Sequence, residues 1–367
     1  MKSGKWTTAF ASALIALAAI AHAQANKTKN VVIVMTDGLR WQEVFRGADA
    51  SLFPDTKDAN AEDKKLRQQF SPGTPEQNRT ALMPFFWNTI AKQGQIFGDR
   101  DAQSSVVVTN GFKFSYPGYS ETLTGRPNPA IDSNDAPNNP HASVLEWLNN
   151  QAEFKGKVAA FAMWDRFAQI LRRSESGLPV NVAYEPLILS PMPQGLSDLN
   201  AVKTSLPRIF GDDESYDAPE FYQALVYLHQ KKPRVLFISL GETDDWAHRR
   251  NYPQYLASAH RFDSYLQTLW NTLQSMPEYR NSTTLVLTTD HGRGSGKEWS
   301  SHGQKIDGAE NIWTAYLGPD TRALGQRANV PQLTQGQLAA TVAALLGKNF
   351  GATDPSITPS ITDVLAH

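Results

Sequence analysis

The stretch that most constrains the fold is residues 282–303, STTLVLTTDHGRGSGKEWSSHG. Residues 283–288 form an unbroken β-branched and apolar run, the pattern of a strand buried on both faces. The run stops at Thr289-Asp290-His291-Gly292, where a carboxylate and an imidazole stand side by side. Gly292, Gly294 and Gly296 then loosen the chain, and His302 follows before Gly303. A strand ending in Asp-His, with another His one short loop later, puts three ligands for a divalent metal at one sheet edge. The rest of the chain is expected to bring further ligands and a nucleophile to that edge.

Other strands repeat the pattern. Residues 30–38, NVVIVMTDG, read as a central parallel strand that ends in Asp37-Gly38. Taken alone, that end is an ordinary Asp-Gly turn. Residues 234–240, RVLFISL, run into GETDDWAH, where Asp244 and His248 are four apart and share one helix face. That spacing suits a metal ion, and it equally suits an N-cap Asp beside an unrelated His. Residues 104–109, SSVVVT, form a fourth strand and lead into NGFKFSYPGYSETLTG, which holds six hydroxyl residues between Ser115 and Thr124. Ser115 there fits a nucleophile on a loop shaped by Gly and Pro, or a Ser/Thr-rich cap opening a helix.

Between these strands the periodicity predicts helices over 81–92, 143–154, 166–177, 218–230, 252–275 and 334–347, and further strands at 156–163 and 312–317. His260, inside the long helix at 252–275, reads as structural. Residues 46–75 and 181–216 are polar and turn-rich, and the second is expected to be a cap or excursion. The alternation implies an α/β protein: a three-layer α/β/α sandwich with a mostly parallel central sheet.

Composition excludes several classes. Net charge is −1, with 35 Lys+Arg against 36 Asp+Glu, so no nucleic-acid partner is expected. Cysteine is absent, which removes disulfides, thiolate metal sites and thiol nucleophiles. Residues 1–23 carry Lys2 and Lys5, a short apolar stretch and an Ala21-His22-Ala23 cleavage site, the signature of a signal peptide. Its removal leaves residues 24–367 as a single exported catalytic domain, periplasmic or secreted, with no membrane span and a small-molecule substrate.

Strand-Asp37, then Ser115-x-Pro117 near Thr124-Gly125, then Asp244-x-x-x-His248, Asp290-His291-Gly292 and His302-Gly303 resembles the alkaline phosphatase superfamily. The likeness is to its nucleotide pyrophosphatase/phosphodiesterase-like and sulfatase-like branches, and runs from residue 30 to 303 and on toward the closing helix. It implies two metal ions. Asp244, His248 and His302 would hold one. Asp37, Asp290 and His291 would hold the other, with Ser115 Oγ as its further ligand and as the nucleophile. Three His with three Asp favour zinc over magnesium or calcium. An Asn downstream of the nucleophile contacts phosphate in the diesterase-like branch. Asn138 and Asn139 are the first choices here, Asn134 a third, and Lys113 and Arg126 are candidate phosphate contacts.

The chain departs from those relatives in two places. Tyr119 stands where sulfatases carry Arg, which disfavours a formylglycine at Ser115 and hence a sulfatase. The connection from Asp290 to His302 is short, with no room for substrate-binding insertions. The resemblance therefore implies a phosphoric ester hydrolase working through a phosphoseryl intermediate. A phosphomonoesterase comes first, and a phosphodiesterase or nucleotide pyrophosphatase on the same site is the alternative. A cation beside the phosphate would mark the monoesterase, and an aromatic or apolar wall would mark the diesterase.

Overall fold

The computed structural model describes residues 26–55 and 57–365; the expected signal peptide lies outside the described residues. Eleven strands are described: β1 (Asn30–Thr36), β2 (Gln95–Phe97), β3 (Val106–Val107), β4 (Val158–Ala162), β5 (Val180–Val182), β6 (Val235–Leu240), β7 (Thr283–Thr289), β8 (Asn311–Ile312), β9 (Thr314–Leu317), β10 (Gly325–Gln326) and β11 (Leu333–Thr334). Eight build one sheet in the order β10-β2-β9-β7-β1-β6-β4-β5. All its strands run parallel except β9, which is antiparallel to both β7 and β2.

The continuous apolar runs are divided between two cores. Val32, Val34, Leu236, Ile238, Leu285 and Leu287 point into one, and Val31, Ile33, Val235, Phe237 and Val286 into the other. This period-two division is what a sheet covered by helices on both faces requires. The helix Tyr252–Ser275 packs its Leu256, Phe262, Leu266, Leu269 and Leu273 stripe into the first core. The helices Ser115–Thr124 and Gln337–Leu345 pack on the other face.

Local chemistry moved several expected boundaries. Residues 104–109 give only the two-residue β3, which pairs with β8 and β11 in a separate small sheet and never joins the main one. The helix expected over 81–92 breaks around Pro84, into Pro75–Leu82 and a π-helical turn, Phe86–Ile90. Residues 166–177 form two short helices, Phe167–Ile170 and Arg173–Ser176, because Arg172 between them is left-handed, with φ 52°. Residues 46–75 and 181–216 are more ordered than their polarity implied. The first holds the helix Ala61–Phe70, opened by a capping box of Asn60 and Asp63. The second holds the helix Leu196–Ser205, tied down by buried Lys203 on Glu220 and Gln223.

Candidate active site

The carboxyl ends of β1, β6 and β7 deliver the site. β1 runs directly into Asp37, and β7 into Asp290 and His291. Both strands flank the same edge in register, with Thr36 opposite Thr289. β6 runs into Gly241 and the helix Glu242–His248, whose single turn puts Asp244 and His248 on one face. Asp217 fixes that entry, accepting from the backbone N–H of Gly241 (2.7 Å) and Glu242 (3.3 Å).

Six predicted ligands fall into the two expected groups. Asp37, Asp290 and His291 converge in one, and Asp244, His248 and His302 in the other. In the first, His291 Nδ1 bonds the Gly292 carbonyl at 2.9 Å, so that nitrogen carries the proton and Nε2 presents its lone pair. Nε2 lies 3.2 Å from Asp37 Oδ1 and 3.4 Å from Asp290 Oδ2, yet none of these three atoms has a hydrogen-bond partner. Acceptors facing one another in a buried space repel unless a cation lies between them, so the group fits a divalent metal ion. In the second, His248 Nε2 is 3.0 Å from Asp244 Oδ2 and 2.9 Å from His302 Nε2, two imidazole nitrogens aimed at one point.

Electrostatics agree. Burial, then Asp37, pushes the Asp290 carboxyl well above its usual range. Burial opposes charge on His291, but Asp290 and Asp37 outweigh it and push its pKa up to about 9, so without a metal ion a proton on Nε2 takes the place of the cation between the carboxylates. Burial and the neighbouring His291 drive His302 far down. The carboxylate-rich group favours positive charge, and the imidazole-rich group favours neutral ligands.

Ser115 opens the helix Ser115–Thr124 and lines the same cavity, of about 240 Å³, with Asp37, Asp244, His248 and His302. The helix start aims partial positive charge into the cavity. Gly118 allows the close approach: a Cβ there would lie 2.3 Å from the Asp290 carbonyl oxygen.

The phosphate-contact candidates separate. Asn134 lines the cavity; its Oδ1 accepts from Tyr116 N–H at 3.0 Å, leaving the amide nitrogen as a donor. Asn138 does not line it, being bonded at the surface to Glu175 (2.9 Å), and Asn139 is buried with its amide on Ser120 (2.9 Å). Lys113 pairs with Glu310 at 2.9 Å, and Arg126 with Asp354 and Ser356; neither lines the cavity. Pro140 suggested Asn138 and Asn139 by stiffening that end of the loop, but the loop turns Asn134 toward the site.

Several residues at the site carry no clear sequence signal. Met163 and Trp164 line the cavity from just beyond β4, and the strand-end rule applied to β4 would have found them. Glu214 and Asp245 also line it. Burial pushes Glu214 up to about 7, and burial with Glu214 pushes Asp245 up to about 11. Tyr119 OH donates to Asp37 Oδ2 at 3.0 Å. Arg293 is fully buried among the ligand-bearing segments, and burial lowers its pKa to about 9.

Solved structures with this fold include the alkaline phosphatase PafA (11% identity, TM-score 0.60, covering 93% of this chain and 99% of that one). They also include murine ectonucleotide pyrophosphatase/phosphodiesterase 5, an inactive variant in complex with AMP (13%, TM-score 0.54, 92% and 100%). A 2-O GAG sulfatase shares it too (12%, TM-score 0.55, 92% and 74%). No curated protein matches the chain in sequence. Residues 56–307 match the model of the type I phosphodiesterase / nucleotide pyrophosphatase family. The chain belongs to that family, within the alkaline phosphatase superfamily, and is a hydrolase acting on phosphoric esters.

Proposed function

We propose that this chain is an exported phosphodiesterase that holds two zinc ions and uses Ser115 as its nucleophile. The observation that carries the choice of diester is the cavity wall. Among the described residues, no Lys or Arg lines the cavity, whereas Trp164 and Met163 do. A dianionic monoester needs a cation near its extra oxygen; a diester needs room and apolar contact for its second arm. Glu214 and Asp245 add carboxyl groups to that wall, which suits an uncharged or cationic arm better than a polyphosphate. The short connection between Asp290 and His302 supports a second reading, the monoesterase.

Bound in the two groups, the ions would supply Lewis-acid charge at the phosphoryl, attacking and leaving oxygens. The chain does the rest. Asp37, Asp290 and His291 would hold one ion, with Ser115 Oγ as its further ligand, and Asp244, His248 and His302 the other. Ser115 Oγ gives its proton to solvent and attacks phosphorus in line; the new P–O bond forms as the ester P–O bond breaks, and the departing alkoxide takes up a proton from water. The amide of Asn134 and the N-terminal end of the Ser115 helix face the charge that develops on the equatorial oxygens. Water then attacks the phosphoseryl group, freeing Ser115 and a monoester product. The lysines, apolar stretch and A-x-A site of residues 1–23 support export, and no helix among the described residues is long and apolar enough to cross a membrane.

The test uses purified protein stripped with chelator and restored with zinc, given bis-p-nitrophenyl phosphate and p-nitrophenyl phosphate. A kcat/KM for the diester at least ~10-fold above that for the monoester, lost in Ser115→Ala, is expected. A monoester preference would transfer the reading to the phosphomonoesterase, and full activity of Ser115→Ala would remove the nucleophile.

A further inference from the structure

Arg293 sits two residues after His291 and is 1% exposed. Its donors reach three separate segments, each next to a ligand. Nε donates to the Gly38 carbonyl at 3.1 Å, one residue past Asp37. Nη1 donates to the Ser300 carbonyl at 2.5 Å, two residues before His302. Nη2 donates to the Asp244 backbone carbonyl at 3.4 Å and also bonds the Asp244 carboxylate at Oδ1. The space is shaped for this contact. Gly38 has φ +59°, and a Cβ there would lie 2.8 Å from Arg293 Nε and 2.9 Å from Asp244 Oδ1.

The other group has a different holder. Tyr119 OH donates to Asp37 Oδ2 at 3.0 Å and receives a hydrogen bond from Ser239 Oγ at 3.1 Å. Tyr119 is 1% exposed, and its hydroxyl bonds Asp37 and Ser239, neither of them in the second group.

We infer that Arg293 is the positioning residue of the Asp244–His248–His302 group and Tyr119 that of the Asp37–Asp290–His291 group. Each aims one ligating carboxylate while the second oxygen stays with its group. The guanidinium is a rigid planar fork, so its three carbonyl contacts also fix the spacing of the Gly38, Asp244 and Ser300 segments. Outer hydrogen bonds of this kind typically set metal affinity by about 10–100-fold. The inference rests on the reading that both groups hold divalent ions.

The test is calorimetric titration of the metal-free full chain with zinc, with the visible spectrum of the cobalt-loaded protein as a second readout. Wild type takes up two ions. Arg293→Met is expected to weaken one ion by about 10–100-fold and leave the other within about threefold. Tyr119→Phe is expected to weaken the opposite ion by a similar factor. In a His248→Ala background, which disables one group, Tyr119→Phe still weakens the remaining ion by about 10–100-fold and Arg293→Met changes it by no more than about threefold. Arg293→Lys keeps a buried cation without the fork, and carries the test if Arg293→Met does not fold: it too weakens one ion, by at least about threefold. Equal weakening of both ions by each variant, or no weakening, overturns the inference while two ions in wild type leave the proposed function standing. Fewer than two ions in wild type overturns both.

Discussion

Two buried polar clusters lie within one sheet edge of each other and are built on opposite terms. Around Glu43, every strong group is satisfied. Arg40 pairs with both carboxylate oxygens of Glu43 and sends Nη1 to the Gly294 carbonyl at 3.0 Å. Tyr252 OH and Tyr255 OH complete Glu43 at 2.9 and 3.3 Å. Trp299 packs against both tyrosines, with centroids 5.0 and 5.5 Å away. Around Asp290, equally buried, Asp37 Oδ1, Asp290 Oδ2 and His291 Nε2 face one another without partners. A satisfied network fixes structure, and here it clamps the loop that carries His302. An unsatisfied one persists only where binding compensates for it. Buried carboxylates thus serve the fold in one place and the chemistry in the other.

The largest effects are expected at the unsatisfied cluster. Asp290→Asn, and Ser115→Ala at the cavity, are each expected to lower kcat/KM for a phosphodiester by ~10³-fold or more, measured at saturating zinc. In the satisfied cluster, Glu43→Ala strands Arg40 in a dry interior. It is expected to cost about 3–5 kcal/mol in urea unfolding of the metal-free protein. The sign reverses for the site. Asp290→Asn replaces a carboxyl whose ionisation burial and Asp37 already oppose, and should raise the stability of the metal-free protein by on the order of 1–2 kcal/mol in the same assay. Destabilisation by Asp290→Asn, or indifference to Glu43→Ala, would erase the distinction between the clusters.

A third buried pair sharpens it with a smaller, pH-dependent effect. Burial pushes Glu220 up to about 7 despite the opposing charge of Lys203. The native state therefore holds a proton that the unfolded state, with an ordinary Glu near 4.5, has released. The contribution of Glu220 to the stability of the metal-free protein should fall as pH rises from about 4.5 to about 7 and then level off. The change is on the order of 1–3 kcal/mol. Unfolding series at several pH values should show that slope flattened in Glu220→Gln; an unchanged slope would assign it elsewhere.

The sequence carried the strand-end logic and little of what surrounds it. Unbroken apolar runs make central strands, and a polar residue at the end of such a run has nowhere to go but the sheet edge. That is why Asp37, Asp290 and His291, and the Asp244–His248 pair one helical turn past β6, could be read directly. The long helix Tyr252–Ser275 was equally legible, because a 24-residue stripe leaves no competing period. What failed was short or set by tertiary contacts. Residues 104–109 look like core strand, but only Val106 and Val107 are strand, paired with β8 and β11 outside the main sheet. Asn134 was placed behind Asn138 and Asn139 because loop direction is decided by packing, here the capture of Asn134 by Tyr116 N–H. Arg293 and Tyr119 gave no signal, since an outer hydrogen bond follows from geometry and leaves no spacing to count.

The central claim is that the six ligands form two separate metal sites, and metal content per chain tests it most directly. Elemental analysis by mass spectrometry of zinc-loaded, gel-filtered protein should give two ions for wild type. It should give one for Asp290→Asn and one for His248→Ala, with each variant folded by circular dichroism. Two ions retained in both variants, or fewer than two in wild type, would contradict it.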